Sequence, residues 1–423
     1  MRTLILALLL TAVSGLSRAA AFPDFDGTGA GLSVRAVIEQ AASAGGLIPE
    51  PSAASAGSPV WVSMEKSAVG ALDSAVFKSA PVAQNKRIAI YEFDAATLDR
   101  LAGEMHKAFG RGPGFFAHDS LESALEDLKE PPAVPARSYT IDQADRVKAL
   151  LPLAEEGNIV SVIKSLSAFK NRNYRTATGI DASRWVRDLW TRYAGGRPDI
   201  TVETFKHQAF PQESVILTMR GAAEPDKIVV IGGHEDSTAG YWGGDVSAPG
   251  ADDNASGVAV VSEVIRALVK GGYRPARTIK FMAYAAEEAG LRGSADIAAA
   301  FKQQGADVEA MMNLDMVNYK GSEKDIYFVS DNTSQPLNDY VGKLIDSYTG
   351  LTWGTLKCGY GCSDHASWTK NGYPSTTPFE SSMEQMNPYI HKADDTLDKS
   401  GGRAEHAIKF ARLGLAFAVE SAK

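Results

Sequence analysis

Cysteines, clusters of basic residues and long apolar runs are all scarce in this sequence of 423 residues. There are only two cysteines, Cys358 and Cys362, so at most one disulfide can form within the chain. The net charge is −8 and Lys and Arg form no long run, which leaves no electrostatic footprint for a nucleic-acid backbone or an anionic membrane surface. We therefore expect neither nucleic acid nor a membrane as a partner.

The N-terminal apolar stretch is too short for a membrane anchor. It covers residues 4–13 and is interrupted by polar residues from Ser14 onward, whereas a membrane-spanning helix needs about 20 apolar residues. Arg2 precedes the stretch and small residues close it at positions 19–21, which is typical of a signal peptide. We predict a signal peptide over residues 1–21 and a secreted protein, extracellular or periplasmic.

The region before residue 138 differs in pattern from the rest of the chain. Residues 22–70 are rich in Ala, Gly and Ser and predict loose structure, and residues 86–128 carry a strand pattern and a helix pattern that predict a small folded unit. Prolines between residues 130 and 138 predict a stiff linker that exposes a basic residue, Arg137, to a processing protease. We interpret residues 22–137 as an α+β propeptide; a binding domain kept in the mature protein is the alternative.

Beyond the linker, apolar strands alternate with amphipathic helices. Strands are predicted over residues 227–233, 278–285, 311–316 and 325–330, and helices over residues 255–270, 336–348 and 405–420. This order predicts an α/β domain in which a mixed, mostly parallel sheet is sandwiched by helices. Ligands of such open sheets bind at the carboxyl ends of the strands.

Acidic and imidazole side chains follow several of these strands. They lie in GGHEDST (His234, Asp236), APGADDN (Asp252, Asp253), AYAAEEAG (Glu287, Glu288), NLDMVNY (Asp315) and the loop NPYIHKADDT (His391). Each one alone is explained by a helix cap, a turn or solvation. The glutamate pair is harder to explain, because it follows a buried strand and an unpaired buried carboxylate is costly. Two zinc ions about 3.5–4 Å apart would account for the whole set and leave one carboxylate free as a base.

The six segments GGHEDST, APGADDNASG, FMAYAAEEAGLRGS, NLDMVNYKG, CGYGCSDHASW and NPYIHKADDTLD stand in one order over residues 139–423. In order and spacing they resemble the secreted bacterial leucyl aminopeptidases with two co-catalytic zinc ions. The resemblance implies the zinc-peptidase/phosphorylase-like fold. It also implies removal of hydrophobic, Leu-like residues from peptides with a free N-terminus, by metal-activated water.

The resemblance also assigns roles to single residues. One zinc ion is expected on His234 and Asp315, the other on Glu288 and His391, with Asp253 rather than Asp252 bridging both. Asp236 is expected to orient the His234 imidazole. Glu287 is expected to act as the general base.

The resemblance also implies which residues would contact the substrate. Cys358 and Cys362 are expected to form a disulfide that holds Tyr360 toward the substrate carbonyl as an oxyanion donor; a cysteine-metal site is the alternative. His365 is interpreted as structural. The side-chain pocket is expected to be lined by Met316, Val329, Phe379, Met383, Met386 and Ile390. Thr377 lies near a position that is apolar in familiar members.

Three other functions are compatible with this fold. A glutaminyl cyclase uses a single zinc ion, and a non-catalytic binding protein on the same fold usually lacks ligands or the base, so the complete residue set argues against both. A carboxypeptidase or dipeptidase would share the same metal chemistry. We expect a monomer that acts on peptides.

Overall fold

The computed structural model describes residues 58–423 except residues 73, 78, 111, 113 and 241–245. The predicted signal peptide, and the predicted loose segment as far as residue 57, lie outside the described residues. Among the helices of the described part, none combines the length and the apolar character needed to cross a membrane.

A small α+β unit comes first. Its elements are β1 (Pro59–Glu65), α1 (Lys66–Val69), β2 (Ala83–Gln84), β3 (Ile88–Asp94), α2 (Leu98–Phe109), β4 (Phe116–His118) and α3 (Leu121–Glu126). The strands form an antiparallel sheet in the order β2-β3-β1-β4. Apolar residues at alternate positions of β1 pack with the apolar residues of α2 in one buried cluster. This confirms the folded unit predicted from residue 86 onward.

The expectation of loose structure is wrong for residues 58–70. In PVWVSME the apolar residues Val60, Val62 and Met64 stand at every second position and are buried, and β1 pairs with β3 along its whole length. This period-two pattern predicts a strand, but it is short and follows a long Ala, Gly and Ser tract.

The larger region extends from residue 139 to the end of the chain. Its helices are α4 (Ala144–Leu150), α5 (Glu156–Ser167), α6 (Ala177–Ala194), α7 (Ala255–Lys270), α8 (Arg292–Gln303), α9 (Gln335–Tyr348), α10 (His365–Lys370) and α11 (Ala407–Ser421). Its strands are β5 (Ile200–Phe205), β6 (Ser214–Met219), β7 (Glu224–His234), β8 (Arg277–Tyr284), β9 (Asp307–Asn313), β10 (Ile326–Val329), β11 (Trp353–Leu356), β12 (Ser375–Thr376) and β13 (Pro378–Phe379).

Six of these strands form the central sheet, in the order β12-β9-β7-β8-β6-β5. Strands β12, β9, β7 and β8 are parallel, whereas β6 and β5 are antiparallel to their neighbours. A second sheet joins β11, β10 and β13. The predicted mixed, mostly parallel sheet is confirmed. The strand predicted over residues 311–316 is shifted, because β9 ends at Asn313 and the chain then leaves the sheet.

Helices cover both faces of the central sheet, and strand β7 shows why. Successive side chains of a strand point to opposite faces. Val229 and Ile231 pack with α7 and α11 in one cluster, while Val230 packs with Ile297 of α8 and Trp368 of α10 in another. The continuous apolar run KIVVIGG is therefore buried on both sides, as the sequence predicted.

The two regions have separate hydrophobic cores. The cluster of the small unit contains residues from Val60 to Ala117, and the large cluster contains residues from Val147 to Ala422. Because the large region buries its own apolar side chains, we expect it to fold without the small unit.

The linker between the regions has no helix or strand from residue 130 to residue 143. The expectation that Arg137 is exposed is wrong. Its side chain is 26% exposed and forms ion pairs with Asp307 and with Glu309, the latter at 3.2 Å, at the start of β9. Residues 130–133 are exposed instead.

Candidate metal centre

The carboxyl ends of the parallel strands bring the predicted metal ligands to one edge of the sheet. His234 is the last residue of β7, Glu288 follows β8 and Asp315 follows β9. Asp253 lies just before α7, and His391 lies on a loop before α11. All five side chains are buried.

The five residues form two groups that share one carboxylate. One Asp253 oxygen lies 3.1 Å from Nε2 of His234, and the other lies 3.1 Å from Nε2 of His391. Asp315 lies 3.2 Å from Nε2 of His234, and Glu288 lies 2.9 Å from Nε2 of His391. Within each group of three, candidate ligand atoms lie within 4.8 Å of one another. The structure thus brings all five predicted ligands together, with Asp253 between the two groups.

In the ligand group formed by Asp253, Glu288 and His391, the buried side chains of Glu288 and His391 lack ordinary hydrogen bonds. Both oxygens of Glu288 and Nε2 of His391 have no hydrogen-bond partner within the described part of the chain, although they lie close to one another. Burial raises the pKa of Glu288 to about 7 and that of Glu287 well above its usual range. A cation would remove this cost of burying carboxylates. Imidazole nitrogen and carboxylate oxygen are donors that zinc accepts, so the residues fit the expected metal.

Asp236 lies between the imidazole of His234 and the backbone of Glu287 and Glu288. Its Oδ1 lies 3.3 Å from Nδ1 of His234, and its oxygens accept the backbone N–H groups of Glu287 and Glu288 at 3.0 and 3.2 Å. A carboxylate at Nδ1 favours the tautomer that presents Nε2 to a metal. The structure therefore places Asp236 where the sequence predicted it.

Two side chains that organise the Asp253 loop, Asp395 and Asn254, are not among the residues expected from the sequence. Asp395 accepts the backbone N–H groups of Asp252 and Asp253 at 3.1 and 3.0 Å. Asn254 caps α7 by accepting from Gly257, and its side-chain amide donates to the Leu314 carbonyl at 2.9 Å. The N-cap position of Asn254 could have been predicted from the sequence, whereas the contact of Asp395, more than 140 residues away, has no local signal.

The loops that carry Asp253 and Asp315 approach each other only because glycine stands between them. A Cβ atom at Gly257 would overlap the Leu314 carbonyl oxygen, which is backbone and cannot rotate away. Gly257 therefore sets the separation between the loop before α7 and the loop after β9.

We predict that Gly257→Ala destabilises the protein by about 1–3 kcal/mol, the usual cost of overpacking, and weakens zinc binding. Gly157→Ala is the matched control, since a Cβ on that helical residue meets no atom within 4 Å. It should be neutral or stabilise by up to about 1 kcal/mol. Urea unfolding and zinc titration measure both effects. Equal behaviour of the two variants would contradict the role given to Gly257.

A cavity opens beside the two ligand groups. Its lining includes Asp253, Glu287 and Asp315. It also includes all six residues predicted for the side-chain pocket, namely Met316, Val329, Phe379, Met383, Met386 and Ile390. Glu287 belongs to neither ligand group. A carboxylate and an apolar pocket thus face the same space, next to the candidate metal site.

The turn that carries Tyr360 lies on the wall of this cavity. Cys358 and Cys362 form the disulfide expected from the resemblance, which engages both sulfur atoms, and neither cysteine belongs to a candidate ligand group of the described residues. Tyr360 lines the cavity, and its hydroxyl donates to the carbonyl oxygen of Gly112 at 3.1 Å. His365 lies nearby in sequence but is fully buried, and burial lowers its pKa to about 4, which suits a neutral structural residue.

The small N-terminal unit reaches this cavity, which the sequence did not indicate. Gly112 lines it, and the ring of His106 lies 4.6 Å from the ring of His391. The small unit also contacts the large region through a backbone hydrogen bond, in which the Ala117 N–H donates to the Gly290 carbonyl at 3.1 Å. Ion pairs join Asp119 to Arg292 and Asp127 to Lys370. Nothing in the local sequence marks His106 for a position beside a metal ligand.

The chain is similar in sequence to a known peptidase family and to proteins described as aminopeptidases. Residues 214–415 match Peptidase family M28. A probable aminopeptidase of Saccharomyces cerevisiae is 34% identical over 301 residues, which cover 68% of this chain and 80% of the relative. The chain belongs to peptidase family M28. A probable leucine aminopeptidase of Arthroderma otae is 36% identical over 313 residues, covering 73% of this chain and 85% of that protein. As a member of this family, the chain is a hydrolase that acts as an aminopeptidase.

A solved structure extends the likeness beyond the metal centre. The crystal structure of the LapA aminopeptidase from Legionella pneumophila has a TM-score of 0.77 and 27% identity, covering 86% of this chain and 99% of that chain. Residues 139–423 make up only about two thirds of the sequence. The shared structure of this M28 protein therefore includes part of the small N-terminal unit.

Proposed function

We propose that this M28 protein is a secreted two-zinc aminopeptidase that removes hydrophobic, Leu-like residues from peptide N-termini. The observation that carries the proposal is the pair of ligand groups sharing Asp253, beside an apolar cavity. The similarity to a protein described as a probable leucine aminopeptidase supports the substrate preference.

In this proposal His234 and Asp315 would hold one zinc ion and Glu288 and His391 would hold the other, with Asp253 belonging to both ligand groups. When bound, zinc supplies a Lewis acid and lowers the pKa of a bound water molecule toward neutrality. Asp236 lies beside Nδ1 of His234, where its carboxylate would favour the tautomer that presents Nε2 to the metal site.

Glu287 is the general base and later the general acid. It lines the cavity beside Asp253 and Asp315 but is left out of both ligand groups, so its carboxylate is free to take a proton from water and return it to the leaving amine. Its backbone N–H is fixed by Asp236. The side chain is thereby placed at the border between the metal site and the substrate cavity.

Tyr360 is the oxyanion donor. Its hydroxyl already donates to a peptide carbonyl, that of Gly112, within the cavity. The same donor would stabilise negative charge on a scissile carbonyl oxygen. The first side chain of the substrate would then enter the pocket formed by Met316, Val329, Phe379, Met383, Met386 and Ile390.

We further propose that the small N-terminal unit is an inhibitory propeptide. Gly112 takes the hydrogen bond of Tyr360 inside the cavity, and His106 packs on the ligand His391. A processing protease would cut the exposed residues 130–133 rather than the ion-paired Arg137. Secretion, with removal of residues 1–21, would bring the precursor to that protease.

We predict that the intact precursor hydrolyses leucine p-nitroanilide at least about 100-fold more slowly than the chain from Ser138 to Lys423. The physical reason is competition, because the Gly112 carbonyl belongs to the same chain and therefore has a high effective concentration at the site. Initial rates at equal zinc loading measure the difference. Equal rates for the two proteins would show that the N-terminal unit is an ordinary domain and not an inhibitor.

A further inference from the structure

One polar group of the substrate pocket has no explained role. Thr377 lines the cavity and is 2% exposed, and its hydroxyl has no hydrogen-bond partner among the residues that the structure describes. The other hydroxyl residues of the lining are engaged: Ser363 accepts from Asn313 at 2.8 Å, and Tyr360 donates to Gly112. An unpaired buried hydroxyl is costly, so Thr377 needs an explanation.

The backbone directs Thr377 toward the pocket. Residues 375–379 run as an extended segment through β12 and β13, and the N–H of Val329 donates to the Thr377 carbonyl at 3.1 Å. Alternate side chains of such a segment point to the same side. Phe379 lines the cavity with Thr377, whereas Thr376 points away and donates to Asn338 at 2.6 Å.

The six residues assigned to the side-chain pocket, which line the cavity together with Thr377, are apolar. Met316, Val329, Phe379 and Ile390 belong to one buried hydrophobic cluster. A purely aliphatic substrate side chain in this pocket would leave the buried hydroxyl unpaired. A side chain with several polar atoms would satisfy the hydroxyl but leave its remaining donors and acceptors unpaired in apolar surroundings.

We propose that the Thr377 hydroxyl selects N-terminal residues with a straight side chain that carries a single hydrogen-bond acceptor, of which methionine is the natural example. A hydroxyl can rotate to donate, and a thioether sulfur is a weak acceptor. This inference rests on the proposed aminopeptidase function and deepens its substrate class. It makes Thr377 a specificity-determining residue.

A series of isosteric substrates tests the proposal. The p-nitroanilides of norleucine, methionine and O-methylhomoserine differ only in having CH₂, S or O at one chain position. The test uses the full-length protein after limited proteolysis of the linker. We expect kcat/KM to rise along the series, with the oxygen compound about 3- to 10-fold better than norleucine, the range of one neutral hydrogen bond.

Two variants separate the hydroxyl from the shape of residue 377. Thr377→Val keeps the shape and removes the hydroxyl, so the order of the three substrates should reverse or flatten and norleucine should improve. Thr377→Ser keeps the hydroxyl and should retain the wild-type order. The same substrate ratios in Thr377→Val and in the wild type would overturn the proposal. Failure of the wild type to hydrolyse any of the three substrates, or leucine p-nitroanilide, would instead overturn the aminopeptidase function on which it rests.

Discussion

Replacing Glu287 by glutamine is expected to lower kcat by about 10²–10⁴-fold, the usual contribution of a general acid–base group. Glutamine keeps the shape of the side chain but cannot take a proton. Glu287 belongs to neither ligand group, so zinc content should not change. The Asp236 hydrogen bond to the backbone of residue 287 should also persist. Initial rates with leucine p-nitroanilide and zinc analysis of the same sample measure both properties.

The neighbouring glutamate provides the control for this experiment. Glu288→Gln alters a member of the group with Asp253 and His391, so it should lose bound zinc as well as activity. A Glu287→Gln protein that turns over as fast as the wild type would remove Glu287 from the mechanism. Loss of zinc in Glu287→Gln would instead make Glu287 a ligand.

Replacing Asp253 by asparagine is expected to have an effect on both metal positions at once. One oxygen of Asp253 faces His234 and the other faces His391, so an amide must turn an NH₂ donor toward one of the two groups. Mutation of a residue that hydrogen-bonds to a metal ligand already costs about 10–100-fold in metal affinity or activity. Mutation of the ligand that both groups share should cost more. We expect fewer than two zinc ions per chain and a loss of activity of more than about 100-fold.

Asp252→Asn is the matched control, because it removes a charge at the adjacent position. Asp252 accepts the N–H of Asn318 and the side-chain amide of Asn387, both at 3.0 Å, and belongs to neither ligand group. The variant should keep its zinc. Metal analysis after dialysis distinguishes the two aspartates, and zinc loss in Asp252→Asn with full loading of Asp253→Asn would show that the bridging residue was assigned wrongly.

Much of the large region could be predicted because its local patterns agree with its packing. The run KIVVIGG is buried on both faces in β7, and the helix predicted over residues 255–270 is α7. The ligands were found because they follow strands of a parallel sheet and because six motifs resemble one family. Strand β1 departs from the expectation of loose structure, since its short pattern of apolar residues at every second position follows a tract that favours loops.

What could not be predicted depends on contacts between distant segments. The Gly112 carbonyl meets a hydroxyl 248 residues away, and Arg137 finds its acidic partners 170 and 172 residues away. Neither contact changes the periodicity or composition of the sequence around it. The approach of the N-terminal unit to the metal centre therefore became visible only in the fold.

Zinc titration of the metal-free chain from Ser138 to Lys423, read out as hydrolysis of leucine p-nitroanilide and of its N-acetylated form, tests the central claim most directly. The account predicts that activity on the free-amine substrate appears with zinc and saturates at two ions per chain, and that the acetylated substrate is not cleaved. A folded, zinc-loaded protein that cleaves neither substrate, or cleaves both equally well, would contradict an aminopeptidase built on the shared Asp253 site.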